Sequence, residues 1–452
     1  MPKELQSAEE FSLDSVIITT ERLGGLTFDI TNITTEINIY ENIYIPYLTG
    51  SLMIVDDNDL NSIINFQGTE KLIVTLSAPG TSDKPLEKTF IITKIDSSVN
   101  QNDYTKVIAF TITEDVLFYN NVQSVSKLYE GTGEEIIEKV LSDKLGKQLA
   151  GIARSTSFQG SFRILTPYLS PFNITNMVLE KITTENGSPF FLYSTMYSDD
   201  LFLTDLDTIN SSDPITNDPF VYSQSVANEP DNDLMKQALS IIYVKADNRE
   251  DTMLLAELGA ISSLYNITDM SDGEFLQTPF NINELMGQLE GQGIISSNQN
   301  IPLVDNTFIP DQTGNDNRTI AEYYSKRFHQ VAGGKTYPYE PQINNWTAEN
   351  DPFSYKLRLN AYVQKQLLFK NTLDVMLPGI LFMSAQSTMS VGRTIDLITF
   401  KSEIDTSNVA QRDNKLSGRF IIMSKRHIFN CAEFRHTVSL SCSRITDERP
   451  QA

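Results

Sequence analysis

FIIMSKRHIFNCAEFRHTVSLSCS, residues 420–443, lies without a gap over a second stretch of the same chain, FIITKIDSSVNQNDYTKVIAFTIT, residues 90–113. The spacing is constant at 330 residues, 420 minus 90. Phe90/Phe420, Ile91/Ile421, Ile92/Ile422 and Asn100/Asn430 are identical. Asp103/Glu433, Tyr104/Phe434, Ile108/Val438 and Phe110/Leu440 are conservative pairs in register. What repeats is a pattern of apolar and polar residues alternating on both sides of a polar centre, the mark of a β-hairpin with one buried and one wet face.

A turn at residues 430–433 would set Phe429 opposite Phe434, His427 opposite His436, Met423 opposite Leu440 and Ile421 opposite Cys442. Arg426, Ser424 and Ile422 would then line the other face with Thr437, Ser439 and Ser441. The earlier copy pairs Ile95 with Ile108, Thr93 with Phe110 and Ile91 with Ile112 by the same rule. Two readings stay open: chance likeness of two amphipathic hairpins, or one β module used twice in the chain.

Length and composition bound the rest. A chain of 452 residues exceeds one core and suggests about three domains. Lys plus Arg number 35 against 58 Asp plus Glu, a net charge of −23, which argues against a phosphate-binding surface and suits one that DNA slides past. The two cysteines, Cys431 and Cys442, fall on different rungs of one hairpin and suggest no disulfide framework. No apolar run approaches the roughly 20 residues of a membrane span. A soluble product of a reducing cytoplasm is expected.

Strand patterns over 16–20, 26–31, 36–45, 47–56 and 71–78, with the 90–113 hairpin, predict a small antiparallel barrel after a loose arm at 1–15. A short helical bridge, DNDLNSIINF, interrupts it. The period then changes. Residues 131–145 read as a helix with a capping box from Thr132 and Glu135, and 171–184 as a second helix opened by Ser170 and Pro171. A hairpin follows over 190–205, and 208–233 reads as a surface connection. Sheet signal returns at 239–245, at 355–368 (YKLRLNAYVQKQLL) and at 374–384, with a helix expected over 320–331. The division is therefore 1–118, first β-barrel module; 119–235, α+β domain; 236–250 with 350–446, second β-barrel module; and 251–349, an insertion of loops and helices. The class is mainly β with α+β.

Candidate chemistry is sparse. His427 and His436, facing across two strands, could seat a metal or form a hydrogen-bonded pair, but zinc wants three or four ligands and no further one is evident. His329 falls in the helix expected over 320–331. DQTGNDN, 311–317, lacks the alternation and closing Glu of a calcium loop and reads as a solvated loop. Nucleophile elbows, phosphate loops and H-E-x-x-H are absent, so no catalytic, cofactor or metal residue is assigned. Carboxylate pairs for glycoside cleavage are a three-dimensional matter that 58 acids leave open.

The order of barrel, α+β domain, interrupted barrel and terminal hairpin resembles the central baseplate hub protein of contractile-tailed phages, and the hub half of type VI secretion spike proteins. YLTGSLMIVDDNDL and EKLIVTL carry the likeness in the first barrel, TGEEIIEKVL and FFLYSTMYSDDLFLTD in the middle, and YKLRLNAYVQKQLLFKNTLDVMLPG with FIIMSKRHIFNCAEFRHTVSLS at the end. The resemblance covers nearly the whole chain except 251–349. It implies a non-enzymatic homotrimer whose two barrels per chain form a pseudo-sixfold ring in the virion tail baseplate, assembled in the host cytoplasm. Tail tube or tube-initiator protein would bind one side and a central spike the other, with other baseplate proteins around it and DNA passing through. Because the chain ends soon after the second barrel, the spike is expected to be a separate polypeptide. Competing readings are a virion-associated cell-wall or capsule hydrolase and a carbohydrate-binding β protein.

Overall fold

A computed structural model of the chain describes residues 7–79, 84–100, 105–156, 162–222, 233–248, 252–269, 275–295, 299–300, 320–332, 355–369, 371–383, 389–404, 410–445 and 447–448. The first part holds β1 (Ser12–Thr20), β2 (Leu26–Asp29), β3 (Thr34–Asn42), β4 (Thr49–Asp56), α1 (Leu60–Ile64), β5 (Lys71–Ser77), β6 (Leu86–Asn100) and β7 (Lys106–Glu114). Every second residue points inward: Leu52 and Ile54 on β4, Leu72, Val74 and Leu76 on β5, and Ile108, Phe110 and Ile112 on β7 are all buried. The arm expected at 1–15 is not loose from residue 7 on. Backbone bonds Ile380 N to Ala8 O and His436 N to Glu9 O tie it to the distant end of the chain.

The middle region contains α2 (Asp115–Asn121), β8 (Leu128–Gly131), α3 (Gly133–Leu145), β9 (Leu149–Ala153), β10 (Phe162–Leu165), α4 (Pro171–Leu179), β11 (Phe190–Tyr193), β12 (Leu201–Asp205), α5 (Leu206–Ser211), β13 (Phe220–Val221) and α6 (Leu234–Ala238). The expected capping box closes α3, Thr132 Oγ1 accepting from Glu135 N and Glu135 accepting from Thr132 N. Its stripe of Ile136, Ile137, Val140 and Leu141 packs with Ile174 and Val178 of α4. The surface connection expected at 208–233 is corrected in part. Phe220 is fully buried and β13 joins a sheet, because its apolar pair finds a strand elsewhere in the chain.

The remaining elements are β14 (Tyr243–Asn248), α7 (Thr252–Glu257), β15 (Ser262–Asp269), β16 (Phe275–Asn281), α8 (Ile282–Gly291), β17 (Gln299–Asn300), β18 (Lys326–Ala332), α9 (Tyr355–Leu367), β19 (Asn371–Pro378), β20 (Thr394–Ile398), β21 (Phe400–Ile404), β22 (Ala410–Arg412), β23 (Gly418–Asn430), β24 (Arg435–Arg444) and β25 (Asp447–Glu448). Two expectations fail here. The stretch 355–368 is the helix α9, not a strand: Leu359, Val363 and Leu367 are buried together with Asn360, Gln364 and Leu368, an i, i+4 pattern that period two overlaps at Leu359, Val363 and Leu367. Its Leu, Lys, Arg, Gln and Ala are helix formers. Conversely, the second half of 320–331 is strand, β18 pairing in parallel with β15, after a single 3-10 turn at Ile320–Glu322. The stretch 311–317 lies outside the described residues.

The repeat in the sequence is a repeat in the sheet. Among the described residues, pairing runs β14-β19-β24-β23-β3-β4-β7-β6-β5-β1-β2, with β20 also on β23. Ile92 pairs with Ile112 and Lys94 with Thr111, leaving Thr93 in a bulge. Exactly 330 residues on, counted as 422 minus 92, Ile422 pairs with Cys442 and Ser424 with Ser441, leaving Met423 in a bulge. The flanking strands follow suit. Leu52 of β4 faces Phe110 as Val375 of β19 faces Leu440. Leu72 of β5 faces Phe90 as Ile395 of β20 faces Phe420. Ile37 of β3 faces Leu52 as Val244 of β14 faces Val375. Strands β3-β4-β7-β6-β5 therefore have counterparts in β14-β19-β24-β23-β20, with the bulge at Thr93 and Met423 in both copies and a second one, at Asp96, in the first alone. The likeness stops beyond them, since β1 runs antiparallel to β5 whereas β13 runs parallel to β20.

The hairpin registers expected from sequence are displaced. Phe429, not His427, faces His436 across the strands, and Ile95 faces Phe110. The turn of the second hairpin lies farther along than expected, with Phe434 in left-handed backbone at φ 53°, and the bulge at Met423 takes one residue of that displacement back.

Candidate functional site

The two β modules meet where β23 leaves its own module and bonds β3 of the first, from Ser424↔Asn42 to Asn430↔Glu36. Sequence parity sets what is buried there. On β3 and just past its end, residues 37, 39, 41 and 43 are all buried, and the third is Glu41 among three isoleucines. On β23 the inward face reads Lys425, His427 and Phe429. All seven side chains are closed to solvent.

Two opposite charges therefore enter the core from different modules. Lys425 Nζ lies 3.0 Å from Glu41 Oε1. The ammonium also donates to Tyr197 Oη at 3.1 Å and the Met389 carbonyl at 2.9 Å, and it sits 4.5 Å from the Tyr197 ring centre. Glu41 accepts from Ser390 Oγ at 2.7 Å and from Met196 N at 3.0 Å. Burial alone would push the Glu41 carboxyl up, but Lys425, His427 and Ser390 together hold it down at about 2. Burial draws Lys425 down from the ordinary lysine range, against the pull of Glu41.

His427 and His436 are brought together diagonally, not face to face. Their rings stack at 5.2 Å and 12°, and His427 Nδ1 and His436 Nε2 lie 3.0 Å apart, so one ring donates its N–H to the other. His436 in turn stacks on Phe429 at 4.2 Å. Burial and then the Lys425 charge push His427 down to about 4, and burial with His427 and Lys425 pushes His436 well down, so both are neutral at pH 7. Gly379 lies against the His436 ring so closely that any Cβ there would collide with it. The third histidine is elsewhere: His329 is on β18, its Nε2 3.5 Å from Asn266 Nδ2. Among the described residues no group of three His, Cys, Asp or Glu is arranged to hold a metal.

Neither Glu41 nor Lys425 was singled out from the sequence, although the signal was present as a lone charge at an inward position of each strand. A separate cavity of about 460 Å³ lies in the middle region, lined by Tyr193, Phe202, Thr204, Gly392 and Arg393 among others. Nearby on α5, Asp207 is buried and raised to about 7, by burial first and by Asp205 second. Asp205 itself is the N-cap of α5, accepting from Thr208 N. The seam is thus a joint of paired charges and stacked rings, able to fix one module on the other.

No protein-family model and no curated protein matches the sequence. Solved structures do. The tail protein from Neisseria meningitidis MC58 aligns over 96% of this chain and 97% of its own at 11% identity, with a TM-score of 0.50. The 43 kDa tail protein of prophage MuSo2 from Shewanella oneidensis aligns over 96% and 99% at 10% identity, with a TM-score of 0.52. Over nearly its whole length, then, the chain has the fold of these two tail proteins.

Proposed function

We propose that this chain is a structural baseplate hub of a contractile phage tail. In this reading it is a homotrimer in which two β modules per chain make a ring of six similar units. The ring joins a tail tube or tube-initiator protein on one side to a separate central spike on the other, within the virion baseplate, and DNA passes through its bore. The division into 1–118, 119–235, 236–250 with 350–446, and an insertion at 251–349 belongs to the same proposal.

One observation carries it. Five strands recur in the same order with one shared bulge, and the first hairpin slips one residue further at Asp96, so three copies can present six similar surfaces to a sixfold partner while keeping threefold symmetry for the other. The charged seam supports a non-enzymatic role, since its groups are spent on each other. Sedimentation and negative-stain imaging of the purified protein test the reading. An annular trimer is expected, and a protein that stays monomeric at every concentration overturns it.

A further inference from the structure

Among the described residues, the junction inside one chain has an open counterpart on the outer half of β6 and another on β14. On β23, Arg426, His427, Ile428 and Phe429 bond β3 at Tyr40, Ile39, Asn38 and Ile37. Their own hairpin partners are Ser439, Val438, Thr437 and His436. In the first module the equivalent partners, Ala109, Ile108, Val107 and Lys106, belong to Ser97, Ser98, Val99 and Asn100 of β6. This half of β6 has no strand on its other side among the described residues. His427 and Phe429 are fully buried, whereas Ser97 and Ser98 are exposed and Val99 is 60% exposed.

At the far end, β14 holds against β19 the place that β3 holds against β4, and it is the last strand of the sheet. Ile37 and Ile39 are buried under β23. Ala246, the counterpart of Ile39, is exposed, and so are Lys245 and Tyr243, the latter by 53%, whereas Val244, the counterpart of Ile37, is half-buried. An open edge of this kind is a template for another strand.

We propose that β14 of one copy pairs antiparallel with the outer half of β6 in the next copy, in the register Val244↔Asn100, Lys245↔Val99, Ala246↔Ser98 and Asp247↔Ser97. The occupant is a second copy of this chain because the register is the intrachain one carried across by the repeat, each residue replaced by its equivalent. Small Ala246 and Ser98 take the inward places of Ile39 and His427. Val99 and Tyr243 become diagonal neighbours on the outer face, each covering apolar surface of the other. The inference rests on the ring reading and says which strands close the ring.

The test is disulfide trapping of the full chain carrying both Ala246→Cys and Ser98→Cys, with mass measured in parallel by light scattering. Both positions are exposed in a single copy, so the substitutions do not disturb its core. Oxidation is expected to give covalent dimers and trimers on a non-reducing gel, reversed by reductant. The combination of Ala246→Cys with Ser97→Cys, which sets the thiols on opposite faces, should give several-fold less. A trimer that does not cross-link, or that cross-links equally with Ser97→Cys, overturns this pairing and leaves the ring standing. A strict monomer overturns both.

Discussion

Lys425 of β23 and Glu41 of β3 meet at 3.0 Å with neither side chain open to solvent, although they belong to different β modules. Removing one partner of such a pair leaves the other buried and unpaired. Glu41→Leu or Lys425→Met alone should cost about 3–5 kcal/mol in urea unfolding. Combining them should cost less than the sum, by roughly 1–3 kcal/mol of coupling. Strict additivity would show the two charges to be independent.

The same seam should set acid stability. The folded His427 titrates near 4 against an ordinary 6.5, and Glu41 near 2 against 4.5. Both are depressed, so each contributes stability present above its unfolded value and lost as pH falls through its folded value. The histidine window opens first. Between pH 6.5 and 4 the loss from His427 should be on the order of 3 kcal/mol, at about 1.4 kcal/mol per pH unit. Urea midpoints measured across that range should fall, and His427→Gln should flatten the slope.

Asp207 carries the opposite sign. Its carboxyl is raised from 3.8 to about 7, so its contribution is present at low pH and lost as pH rises through 7. Asp207→Asn should therefore stabilise the protein more at pH 8 than at pH 4, by about 4 kcal/mol at about 1.4 kcal/mol per pH unit between 3.8 and 7. Thermal melting at the two pH values checks this.

Gly379→Ala should cost roughly 1–3 kcal/mol, because the new methyl meets the His436 ring in a packed site. In a His436→Ala background the same substitution should cost distinctly less. Equal costs in both backgrounds, read from urea midpoints, would move the strain away from the imidazole.

Phe110 and Leu440 hold equivalent places and are both fully buried. Phe110→Ala and Leu440→Ala should each cost about 2–5 kcal/mol. Ile108→Asp or Val438→Asp, which put a charge at the next inward position, should abolish soluble assembled protein. Size-exclusion profiles of the variants read both outcomes.

Much of this architecture was legible in the chain. The strands of the first module, the capping box of α3 and the duplicated hairpin all follow from local rules, since period two, cap residues and turn residues act over a few neighbouring positions. α9 was not legible, because YKLRLNAYVQKQLL satisfies both periods and only its packing with Leu373 and Phe191 selects one. The displaced hairpin register has a similar origin: a turn at residues 431–434 shifts the pairing and the bulge at Met423 takes one residue of the shift back, both chosen by what lies across the sheet.

By itself the sequence determined that one β-hairpin pattern occurs twice, and with it the class of the fold, because alternation of apolar residues is a property of the strand alone. Only the tertiary structure decided that the copies share bulge and register, that β23 reaches across to β3, and that Glu41 finds Lys425. Those depend on contacts between residues hundreds of positions apart, where the cost of an unpaired strand edge or a lone buried charge is settled by what the rest of the chain brings to meet it.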